Sequence, residues 1–191
     1  KAGLAPTASD LVEMADARLW LGQRIEAVAG YRQALAADHP DTIGIRRRLI
    51  EVASLIEEMP SEEVEAEIDA MLAEASSDPA VLMWAIERKV DRLLERGDTS
   101  GAAALLEQTR PAFEATPHRP DWLYLNALTS FHREDYDQVE RTIRWLRDDV
   151  TPAGDRQAKV DWLMGRLEYQ QHRPVSADRK STRLNSSHRI R

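Results

Sequence analysis

Five times along this chain a first residue stands twelve positions ahead of a second, mostly small, one. The sets are Ala15 and Ala27, Ser54 and Ala66, Val90 and Ala102, Ala127 and Val139, and Gly165 and Ala177. They advance in steps of 39, 36, 37 and 38 residues. Two helices approach closely only where side chains are small, and one tight turn between them fixes where those positions fall. The spacing therefore predicts helix pairs, repeated and stacked, in which each pair packs on its neighbours.

The hydrophobic pattern agrees. Leu11, Met14, Ala15 and Leu19 recur at helical spacing, as do Val28, Tyr31, Ala34 and Leu35. The period continues through Leu49, Ile50, Val52, Ala53 and Ile56, and through Val64, Ile68, Met71 and Leu72. No stretch alternates with the period of two that marks strands. Breaks arrive regularly at Gly22, Pro40, Pro60, Pro79, Gly97, Pro117, Pro152 and Pro174. Asp78-Pro79 and Thr151-Pro152 each put a capping oxygen before a proline in a first turn, where the missing N–H costs nothing. The fold class is all-α, and 191 residues at 42% hydrophobic content suffice for such an array. No apolar run reaches the ~18–20 residues of a membrane span. The absence of cysteine excludes disulfides, thiolate metal sites and a cysteine nucleophile.

In these residues the chain resembles the tetratricopeptide repeat (TPR) family, whose unit is a helix–turn–helix of about 34 residues. The first repeat matches most fully: Leu11, Met14 and Ala15, then Gly22 at the turn, then Ala27, Tyr31, Ala34 and Pro40. The others are degenerate: Ser54, Ala66, Ala73 and Pro79; Gly97, Ala102 and Leu106; Leu123, Ala127, Val139 and Ile143; Met164, Gly165 and Ala177. Repeats run a few residues long, and the first-helix aromatic is replaced by Arg18 in the first repeat and Ser130 in the fourth. The resemblance covers residues 1–177. It implies a right-handed α-solenoid of antiparallel helix pairs, about four and a half repeats, cut at both ends. The fifth repeat then has a first helix at roughly 153–171 and only the opening of its second, so Met164, Gly165 and Leu167 are expected on a face that nothing covers.

Residues 178–191 are read apart from this array. Asp178–His188 is similar to the translation of a short-read sequencing adapter, which makes the tail non-native. It holds Arg179, Lys180, Arg183, Arg189 and Arg191 against Asp178, a net +4, so residues 1–177 carry −11 of the total −7. An acidic body repels polyanions, so no nucleic-acid partner is expected. Arginine outnumbers lysine 22 to 4, as a GC-rich, bacterial gene would encode. The compartment is left open.

The chemistry-bearing residues form no catalytic set. His39, His118 and His172 fall at helix ends or turns. His132 precedes Glu134 and Asp135 at a turn, without the three- or four-residue spacing that ligands on one helix face need. Glu57, Glu58, Glu62, Glu63, Glu65 and Glu67 straddle Pro60, and read as a solvated helix start favoured by the macrodipole. Arg46, Arg47 and Arg48 face several directions of one helix. No phosphate loop, G-x-S-x-G or H-E-x-x-H occurs. No enzyme activity, cofactor or metal is expected.

Trp20, Trp84, Trp122, Trp145 and Trp162 all fall within predicted helices, where packing is their first role. By register Trp20, Trp84, Tyr124, Leu128, Phe131, Trp162 and Tyr169 lean toward the face of the first helices. Glu13, Asp16, Glu87, Arg88 and Asp91 lie among them. The resemblance makes that face concave and able to bind a polypeptide or a partner helix. Of the positions matching a family carboxylate clamp (Val12, Asp16, Val52, Trp84, Arg88) only Arg88 suits one. The expected function is protein binding. The alternatives are a non-catalytic arm of a larger enzyme, such as a transferase or kinase, and a structural spacer.

Overall fold

The computed structural model describes residues 5–148 and 155–171. Among them every regular element is helical: α1 (Ala8–Trp20), α2 (Arg24–Ala36), α3 (Thr42–Ala53), α4 (Ser61–Glu74), α5 (Pro79–Glu95), α6 (Thr99–Thr109), α7 (Arg119–His132), α8 (Tyr136–Asp148) and α9 (Asp155–Gln171). Short 3₁₀ turns follow α4 and α6. The all-α class read from the periodicity is the class observed. Two compact units divide the chain, Lys1–Arg119 and Pro120–Arg191. Within the first, α1 packs on α2, α2 on α3, α3 on α4, α4 on α5 and α5 on α6; within the second, α8 packs on α9.

Helix starts follow local chemistry. Thr7 caps α1 by accepting from the Asp10 N–H at 3.2 Å, while the Asp10 carboxylate accepts from the Thr7 N–H at 2.7 Å, a reciprocal capping box. The Thr7 hydroxyl and N–H hold the Asp10 carboxyl below its ordinary range. Asp41, Asp78, Asp98 and Asp135 cap α3, α5, α6 and α8 through the N–H groups of Gly44, Ala80, Gly101 and Gln138.

Three of the pairs turn in the same way. Gly22, Gly97 and Glu134 have φ of +78°, +75° and +62°. After each, the next N–H returns to a carbonyl of the first helix: Gln23 to Arg18 (2.9 Å), Asp98 to Leu93 (2.8 Å), Asp135 to Ser130 (3.0 Å). This is the left-handed C-terminal cap that ends many helices. In these three pairs the turn sits midway within the twelve-residue spacing. Ala15 and Ala27, Val90 and Ala102, and Ala127 and Val139 flank the three turns at equal offsets, and all six are fully buried. In the first pair the close approach is made by Gly30, where an added Cβ would lie 2.9 Å from the Ala15 Cβ.

The second pair corrects the expected register. Ser54 and Ala66 are both exposed. The buried residues twelve apart are Val52 and Val64, at 5% and 2% exposure. With them the first-helix series becomes Ala15, Val52, Val90, Ala127 and the second becomes Ala27, Val64, Ala102, Val139, both advancing by 37, 38 and 37 residues. Four residues further on, Tyr31, Ile68, Leu106 and Ile143 are buried in turn. The connection explains the difference. Met59 precedes Pro60, which disfavours helix there. The Ser54 hydroxyl bonds back to the Ile50 carbonyl at 2.7 Å, and Ser54–Pro60 runs as successive turns instead of one left-handed cap.

Two further expectations change. Leu167 is buried with Val160 and Leu163, and Met164 is half-buried against Arg147, whose guanidinium lies 3.2 Å from the sulfur. Gly165 alone of the three is open, with nothing within 4 Å of an added Cβ. Ala177, His172 and the tail at 178–191 lie outside the described residues. The acidic run is also more than a solvated start. Glu63 pairs with Arg32 (2.8 Å), Glu67 with Arg46, and Glu65 with Arg96 (2.6 Å), which ties α4 to α2, α3 and α5. Glu65 and Glu67 side chains are only 13% and 17% exposed.

Candidate peptide-binding face

In the first unit the first helices α1, α3 and α5 are joined side chain to side chain. Arg48 on α3 pairs with Asp16 on α1 at 3.0 Å. Asp16 also accepts from the Tyr31 hydroxyl at 2.6 Å, so it links α1 to α2 as well. Burial, then this bond to a carboxylate, pushes the Tyr31 phenol well above its ordinary range. The arginine triplet does diverge: Arg46 goes to Glu67 and Glu74, Arg48 to Asp16, and Arg47 to Glu51 at 3.1 Å.

Arg47 also stacks on Trp84. Its guanidinium lies 5.2 Å from one ring of that side chain, and Arg88 lies 5.5 Å from it, so the indole carries two cations from α3 and α5. Trp84 is half-buried against the core and Arg88 is exposed. Val52 and Val12 are apolar and at least half-buried, as a carboxylate clamp would not have them. Trp20, at the end of α1, is 91% exposed.

The second unit repeats the theme with different partners. Tyr124 and Phe131 are buried in α7 to 8% and 7% exposure, and Leu128 is half-buried. Arg166 on α9 lies 5.7 Å from the Phe131 ring and 5.3 Å from Trp162, and Lys159 lies 5.8 Å from Tyr124. Trp162 and Tyr169 are 51% and 64% exposed. Trp122 is buried and Trp145 half-buried, as packing predicts.

The remaining candidates are spent on structure. His39 accepts from the Asp41 N–H at 3.0 Å. His132 meets Phe131 edge-on, Glu134 supplies the left-handed turn and Asp135 the cap of α8. Among the described residues no three acidic or histidine side chains come together as metal ligands. Among them, too, no helix is long and apolar enough to cross a membrane.

Sequence reading missed the Arg47–Trp84–Arg88 stack, because residues 47 and 84 meet only through packing. It also missed a groove between the α1–α2 turn and the α3–α4 connection. Comparison with known proteins, by family, by curated sequence and by solved structure, finds no match for this chain.

Proposed function

We propose that this chain is a protein–protein interaction module, a TPR-like right-handed α-solenoid of about four and a half repeats. It docks a polypeptide or partner helix on the face of its first helices, which is concave in that architecture. The observation that carries the reading is Trp84 with the guanidinium groups of both Arg47 and Arg88 over its ring system. A stacked indole loses little entropy on binding, and its guanidinium neighbours keep donors for carboxylates and carbonyls of a partner. Exposed Trp162 beside Arg166 offers the same pairing of aromatic and cation in the second unit.

The test is capture of partners from bacterial lysate by the wild-type chain and by Arg88→Asp and Arg166→Asp, which alter exposed positions. A discrete partner lost from both variants supports the reading. A partner retained by both, or none captured by the wild type, defeats it.

A further inference from the structure

The groove beside the first turn is lined by Gly22, Gln23, Arg24, Ile25 and Glu26 on one side and by Leu55, Ile56, Glu57 and Glu58 on the other, and has a volume of about 500 Å³. It exists because the second pair departs from the others. The three-residue left-handed turn would leave no chain to line the second wall. The longer Ser54–Pro60 connection brings Leu55, Glu57 and Glu58 beside the α1–α2 turn.

Its chemistry is two-sided. Ile25 and Leu55 are 58% and 64% exposed although they line the groove, and Leu21, next to it in sequence, is 74% exposed. Apolar surface of this kind, rimmed by polar groups, marks contact sites. The rim carries three carboxylates, Glu26, Glu57 and Glu58, against one guanidinium, Arg24. Arg18 meets only the backbone carbonyl of Glu26, at 3.3 Å, and no ion pair among the described residues engages Glu57 or Glu58. Of the other acids in this run, Glu63, Glu65 and Glu67 are paired with arginine, and Glu62 is left, like Glu57 and Glu58, without an ion pair among the described residues.

We propose that this groove is a second docking site, distinct from the first-helix face, and that its occupant is a short polypeptide segment with an aliphatic or aromatic anchor flanked by arginine or lysine. The anchor packs between Ile25 and Leu55, and the basic residues meet Glu57, Glu58 and Glu26. Charge complementarity selects this occupant over an acidic or neutral one.

Panning a random-peptide display library on the full chain tests this, with the Leu55→Asp chain as counter-selection. Leu55 is exposed, so thermal unfolding should show both chains equally folded. Enriched peptides should pair an apolar anchor with arginine or lysine. Their affinity should fall at least about tenfold in Leu55→Asp and in the Glu57→Lys, Glu58→Lys double variant, and weaken with salt, while Arg88→Asp leaves it unchanged. Enrichment without basic residues, binding indifferent to both groove variants, or no enrichment overturns the proposal. Peptides lost only in Arg88→Asp would belong to the first-helix face and also overturn it.

Discussion

The α1–α2 turn and the α3–α4 connection solve one problem in two ways. Both return the chain so that a second helix covers the first, and both leave buried residues twelve apart, Ala15 and Ala27 in one case, Val52 and Val64 in the other. The first does it in three residues with Gly22 in the left-handed region; the second takes seven, without any residue at positive φ. The tight turn goes with Gly30 against Ala15, where no side chain fits between the helices. The longer connection goes with valines at the same positions. It also leaves Leu55, Glu57 and Glu58 on the surface, so the looser pair carries the groove.

The largest effect expected from this contrast is steric. Gly30→Val forces a branched side chain onto Ala15, and Ala27→Leu overpacks a fully buried site; each should cost roughly 2–3 kcal/mol in denaturant unfolding. Ala66→Leu, at the position first expected to be equivalent, should stay within about 0.5 kcal/mol because Ala66 is exposed. Equal losses at 27 and 66 would break the corrected register.

Next come the turns. Gly22→Ala and Gly97→Ala put a Cβ at positive φ and should each cost about 1–2 kcal/mol. Glu134→Gly relieves the same conformation and should stabilise by up to about 1 kcal/mol. Met59→Gly in the longer connection has no such strain to relieve and should give no gain.

The Tyr31 hydroxyl sharpens the account of the first pair at a smaller scale. Tyr31→Phe should cost about 1.5 kcal/mol, the low end for a hydrogen bond to a charged group, because Arg48 still holds the carboxylate. The folded state raises the phenol's pKa, so its contribution is complete below the unfolded value near ~10 and is lost as pH rises from there toward the folded value. Unfolding midpoints measured across that alkaline window should fall faster for the wild type than for Tyr31→Phe. The smallest effect is ionic: Arg32→Ala, at a partly exposed pair with Glu63, should cost no more than about 1 kcal/mol, and less in high salt.

Part of what depends on neighbours in sequence was legible. The helices, the Asp78-Pro79 start, the glycine turns and the spacing in the first, third and fourth pairs were all read from residues a few positions apart. The candidate face was legible only as a list of side chains leaning one way. Nothing local distinguishes Tyr124 and Phe131, which are buried, from Trp162 and Tyr169, which are not.

The sequence alone settled the helix class, a period of about 37 residues and the Asp78 cap, because a backbone hydrogen bond or a proline acts within one turn of chain. The tertiary structure decided that Gly30 is the contact on Ala15, that Val52 and Val64 carry the second pair, and that α4's acids clasp three other helices. It also decided that Arg47 reaches Trp84 and that Leu55 shares a groove with Ile25. Each of these joins residues from different helices. Their meeting depends on how far one helix slides along another, and that is set by the summed packing of whole faces rather than by any short run of residues.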